Sequence, residues 1–125
     1  CTLPEMELPF ATIDEAMAEI QRVAGELASR GKFPVFLGGE HSITGPIVAA
    51  VAAHHPGVSV LQIDAHADMR DTFMGTPHNH ACAMRRVVEH APVTQVGIRS
   101  LCQEEAMAVP SLPTTILVTG KLYEG

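Results

Sequence analysis

The stretch Val58-Ser59-Val60-Leu61-Gln62-Ile63-Asp64-Ala65-His66-Ala67-Asp68 decides the class of fold. Residues 58 to 64 form a nearly unbroken apolar run, the pattern of a strand buried on both faces of a sheet. Pro56-Gly57 supplies the turn before it, and the polar residues that follow from Ala65 to Asn79 predict a long loop. Upstream, Phe33-Pro34-Val35-Phe36-Leu37 is a second apolar run that stops at Gly38-Gly39, with Pro34 near its start. Between the two runs the segment from Thr44 to His54 reads as a helix that turns Ile47, Val48, Val51 and Ala52 inward, with Pro46 in its first turn. Strand, helix, strand in this order predicts a right-handed crossover and a parallel sheet, so the expected class is α/β with helices on both faces.

The pattern continues on either side. From Thr12 the residues Ile13, Ala16, Met17, Ile20, Val23, Ala24 and Leu27 recur at helical spacing, opposite a polar stripe of Glu15, Glu19, Arg22, Glu26 and Arg30. Thr12-x-x-Glu15 has the form of a capping box, and Gly31 stands where a helix-ending glycine belongs. Downstream, a third helix is predicted over 80–90, a strand over Val93–Ile98, a short helix capped by Ser100 and ending before Pro110, and a weaker strand over 114–119. Cys82, Met84 and Met107 are expected in the packing.

Composition narrows the function. The chain has 125 residues with eight basic and fourteen acidic side chains, a formal charge of −6, which is the wrong sign for neutralising a phosphate backbone. Nucleic acid is therefore not an expected partner. No apolar run approaches the roughly 20 residues that cross a bilayer, so no membrane partner is expected and a cytoplasmic location is. Cys1, Cys82 and Cys102 are odd in number and lack a C-x-x-C pair, which argues for reduced thiols rather than a disulfide framework or a thiolate zinc site. Neither G-x-G-x-x-G nor G-x-x-x-x-G-K occurs, so the Gly-Gly turn has no phosphate-binding frame around it.

In a parallel sheet, ligands gather beyond the carboxyl ends of the strands. There the sequence places Gly38-Gly39-Glu40-His41-Ser42 after the first run and Asp64-Ala65-His66-Ala67-Asp68 after the second. Residues i, i+2 and i+4 leaving a strand point to one side, so His41, Asp64, His66 and Asp68 could converge. Imidazole and carboxylate donors without thiolates suit Mn²⁺, Zn²⁺, Fe²⁺ or Co²⁺, and the carboxylate share leans toward Mn²⁺. A carboxylate bridging two such ions lets them share and activate a water. Either motif alone is common, and a histidine after a glycine turn is more often a helix cap or surface residue than a ligand. His54, His55 and His90, near predicted helix ends, and His78, in the loop, are assigned no ligand role.

Taken together, G-G-E-H-S, D-A-H-A-D, Met69-Arg70-Asp71, His80-Ala81-Cys82-Ala83-Met84-Arg85-Arg86 and Gln95-Val96-Gly97-Ile98-Arg99-Ser100 resemble the ureohydrolase family, and within it the agmatinases. The resemblance covers roughly residues 10 to 105. It implies a three-layer α/β/α fold of arginase type with a mostly parallel sheet, a centre of two Mn²⁺ ions, and hydrolysis of a small guanidino compound, agmatine before others, to urea and an amine. By position it implies that His41 and Asp68 hold one manganese, that His66 holds the other, that Asp64 bridges both, and that His80 is the catalytic histidine that shuttles protons. Arginase-like sequences carry an asparagine where Arg70 stands. A substrate without an α-carboxylate fits that departure better, and an ordinary ion-pair role for Arg70 fits it equally.

Two features depart from the family. Its second aspartate pair, D-x-D, has no counterpart, because no aspartate follows Asp71. The tail 107–125 no longer resembles it, and the chain reads as one partial domain, truncated or frameshifted. The expectation is an enzyme fragment; the alternative is a non-catalytic relic with an incomplete metal site. A sheet cut short leaves an unpaired edge, so association of copies into a homo-oligomer is expected.

Overall fold

A computed structural model describes residues 2–8 and 12–118. Helix α1 spans Ile13–Ala28 and opens on the predicted capping box, with the Thr12 side chain accepting from the Glu15 N–H and Glu15 returning the bond to Thr12 N. Its buried face is Ile20, Ala24 and Ala28, while Ile13 is exposed. The helix closes at Ser29, and Gly31 takes its left-handed conformation two residues later. Helix α2 spans Thr44–His54, as predicted, and packs on α1. Its inward residues differ from the expectation: Gly45, Ala49 and Ala50 are buried, whereas Ile47, Val48, Val51 and Ala52 are only half-buried. A helix that is apolar all round carries no stripe from which its buried face can be read.

Three strands form one parallel sheet in the order β1 (Val60–Ile63), β2 (Val93–Ile98) and β3 (Thr114–Val118). Ala67, Met69, Met84, Val87, Val88, Val93 and Ile98 make up its buried core. Between the first two strands, the predicted third helix is shorter than expected, a 3₁₀ turn His80–Cys82 followed by α3, Ala83–Val87. Helix α4, Gln103–Ala108, is capped by Cys102 and Glu105 rather than by Ser100. Cys82 and Met84 are buried as expected, but Met107 is 75% exposed, on the outer side of a short helix. Position 119 of the predicted last strand lies outside the described residues.

Phe33–Leu37 forms no strand, contrary to the sequence expectation. Among the described residues no neighbour joins the run in a ladder, and Phe33, Val35 and Leu37 are exposed at 93%, 74% and 95%. Strand structure needs a partner for its N–H and C=O groups, which local sequence does not supply. Strand β1 has the same open side: among the described residues it pairs with β2 alone, and Leu61 and Ile63 face outward at 63% and 80% exposure. Among the described residues no helix is long and apolar enough to cross a membrane.

Candidate metal centre

The β1–β2 pairing continues past the strand ends and thereby shapes the loop that follows β1. Asp64 N donates to Val96 O at 3.1 Å, Arg99 N and Ser100 N both donate to Ala65 O, and Ala67 N donates to Ser100 O. At Gly97 the β2–β3 ladder shifts register, and the φ of Gly97, +89°, is one that side-chain-bearing residues rarely adopt. A Cβ at Gly97 would stand 3.2 Å from the Asp64 carbonyl oxygen, so the glycine lets β2 pass close behind the loop. Below the loop, Gln62 and Gln95 lie opposite each other in the sheet and join through their amides. Gln95 also donates to Ala67 O at 2.7 Å, and Gln62 to His66 O at 3.3 Å.

These contacts bring three of the predicted ligands to one place. Donor atoms of His41, Asp64 and Asp68 all lie within 4.8 Å of one another, half-buried at one end of the sheet. His41 arrives from the Gly-Gly turn: Glu40 caps the 3₁₀ turn His41–Ile43 by accepting from Ser42 N at 2.8 Å and from the Ser42 hydroxyl. His41 Nδ1 donates to Asp68 Oδ2 at 2.9 Å, and that bond, outweighing burial, raises the imidazole pKa above its ordinary value. Burial alone would push the Asp64 carboxyl up. The backbone N–H groups of His66 and Ala65, with the Gln62 amide and the charge of His41, bring it net below the usual carboxylate range.

The other two predicted residues share the cleft without joining that cluster. His66 is largely exposed, with Nδ1 3.4 Å from Asp64 Oδ1. His80 also lines the cleft, its Nδ1 3.7 Å from Glu40 Oε1 and its ring edge-to-face with Phe73 at 6.0 Å. The cleft encloses about 550 Å³, room for a small organic molecule. Arg70 lies over the Phe73 ring at 4.8 Å and forms part of its wall. Two carboxylates against one imidazole leave net negative charge where nitrogen and oxygen donors converge, a donor set that fits a divalent cation.

Sequence reading assigned no role to Glu40, Phe73, Gln62, Gln95 or Glu105. For the two glutamines a signal was present: each is a polar residue inside an otherwise apolar strand. For Glu105 none was, since its place in the cleft depends on a bond to Met69, 36 residues away; Phe73 sits in the predicted loop, whose path no periodic pattern sets.

The cluster stands at one end of a parallel α/β sheet, and comparison with known proteins says which family that sheet belongs to. The model of the Arginase family matches residues 1–119. The N(1)-aminopropylagmatine ureohydrolase of Synechocystis sp. is 47% identical over 101 residues, 78% of this chain and 33% of that protein. The agmatinase of Bacillus anthracis is 35% identical over 104 residues, 81% of this chain and 36% of that protein. Among solved structures, the agmatine ureohydrolase of Thermoplasma volcanium superposes with a TM-score of 0.81 at 30% identity, covering 93% of this chain and 40% of that one. The chain belongs to the arginase family and has part of the arginase-like α/β fold. It spans about a third of the length of the relatives it matches.

Proposed function

We propose that the chain carries one half of the binuclear Mn²⁺ centre of a ureohydrolase that releases urea from agmatine or a close guanidino relative. The observation that carries the reading is the convergence of His41, Asp64 and Asp68 within 4.8 Å in a cleft of small-molecule size. His41 and Asp68 would hold one ion, Asp64 would bridge, and His66 beside it would hold the second. When bound, the ions supply Lewis acidity that activates water at neutral pH.

The chain's own residues supply the rest. A guanidinium carbon is resonance-stabilised and a poor electrophile, so departure of the amine needs a proton. His80 would deliver it: the ring lies edge-to-face with Phe73, lines the cleft, and has Glu40 Oε1 3.7 Å from its Nδ1. The names of the two sequence relatives support an agmatine-type substrate. The acidic residues support a cationic one, since Asp64, Asp68 and Glu105 line the cleft and Glu40 lies beside His80, while Arg70 stands over the Phe73 ring.

A second reading rests on the carboxylate supply. No aspartate follows Asp71, so this chain offers the second ion only His66 and a share of Asp64, and by itself it is non-catalytic. Mn²⁺ titration followed by electron paramagnetic resonance, together with urea release from agmatine, tests both. Binding that weakens at least tenfold in His41→Ala supports the centre, and equal binding by both proteins overturns it. Urea release by this chain refutes the non-catalytic reading; one bound ion per chain without urea supports it.

A further inference from the structure

Glu105 is the only buried acid among the described residues, 6% exposed, and it comes from α4, 36 residues beyond its main partner. One oxygen, Oε2, accepts from Cys102 N at 2.8 Å and closes the capping box of α4. The helix has no use for the other. Oε1 instead accepts from Met69 N at 2.8 Å, directly after Asp68. The Asp68–Met69 peptide is thereby held at both ends, because the Asp68 carbonyl accepts from Met84 N at 3.0 Å and from Arg85 N at 3.1 Å. The held residue is one of two non-glycine residues with positive φ among those described, Asp68 at +51°. Such a backbone persists when its surroundings over-determine it, and it turns the Asp68 carboxylate toward His41.

We propose that Glu105 is a positioning residue of the candidate metal centre: its second oxygen fixes the Asp68–Met69 peptide and so aims the Asp68 carboxylate at the ion. This rests on the metal-centre reading above. A glutamine at 105 keeps the size of the side chain but offers a single acceptor, so one of the two N–H groups would meet an amide donor. An alanine removes both acceptors.

The test uses the full chain, Mn²⁺ as the probe, and two readouts: the Mn²⁺ dissociation constant, and amide hydrogen exchange of Met69 in the metal-free protein. Glu105→Gln is expected to weaken Mn²⁺ binding about tenfold or more. It is also expected to speed Met69 exchange, while Glu104→Gln, on the exposed side of the same helix, changes neither. A folded Glu105→Gln protein, checked by circular dichroism, whose Mn²⁺ affinity stays within twofold and whose Met69 exchange is unaltered overturns the proposal. If that variant does not fold, the wild-type chain decides: Met69 protected like the amides of β2 supports the clamp, and exchange as fast as an exposed loop amide overturns it. Absence of Mn²⁺ binding in the wild type would sink the metal-centre reading instead, with Met69 exchange still deciding whether Glu105 holds Asp68.

Discussion

Replacing Gly97 by alanine isolates how closely the sheet supports the candidate ligand loop. Gly97 has φ +89°, and Gly57, in the turn before β1, has φ +84°. At either position alanine meets a left-handed backbone penalty of about 1–2 kcal/mol, partly offset by about 0.4–1 kcal/mol from a less flexible unfolded chain. The two sites differ in what surrounds them. A Cβ at Gly57 meets nothing within 4 Å, whereas at Gly97 it lies 3.2 Å from the Asp64 carbonyl oxygen, backbone that can yield only by moving the loop. Overpacking of this kind costs about 1–3 kcal/mol. Gly97→Ala is therefore expected to be about 1–3 kcal/mol less stable than Gly57→Ala in urea denaturation followed by circular dichroism. On melting, that corresponds to several degrees for a chain of this size. Because the yielding atom belongs to Asp64, Mn²⁺ affinity should fall in Gly97→Ala and not in Gly57→Ala. Equal stability of the two variants with equal Mn²⁺ affinity would falsify the claim that β2 presses the loop into place.

Three further outcomes are expected. Cys82 is fully buried and its thiol is pushed above the ordinary value of 9.0 by that burial, so iodoacetamide should label it only on unfolding. The sign of the linkage is a loss of stability as pH rises past the ordinary thiol range, where the unfolded state ionises first; Cys82→Ala should flatten that slope, and an unchanged slope would refute the assignment. Lysine at Leu61 and Ile63, on the open side of β1, should shift sedimentation toward monomer if this edge drives association, and a wild-type chain that stays monomeric at all concentrations removes the premise.

Much of the architecture follows from local signals. The capping box of α1, the limits of α2 and the residues of β2 all rest on side chains within a few positions of one another, and each appears where the pattern predicts. Where the reading fails, a distant partner is involved. Phe33–Leu37 has the composition of a strand, yet nothing pairs with it among the described residues. Ser100 has the spacing of a cap, but its backbone is already engaged with Ala65 and Ala67, and Cys102 takes the position two residues later.

The same division runs through the site. By itself the sequence determined that imidazole and carboxylate donors leave the ends of two apolar runs, because spacing along an extended chain dictates which side chains face together. Only the tertiary structure decided that His41, Asp64 and Asp68 meet while His66 stays outward and His80 faces Glu40. It alone brought Gln95 and Glu105 beneath the loop, since their bonds to Ala67 and Met69 cross 28 and 36 residues of chain. Distances of that kind are set by how helices and strands pack on one another, a many-body result that no local pattern of residues encodes.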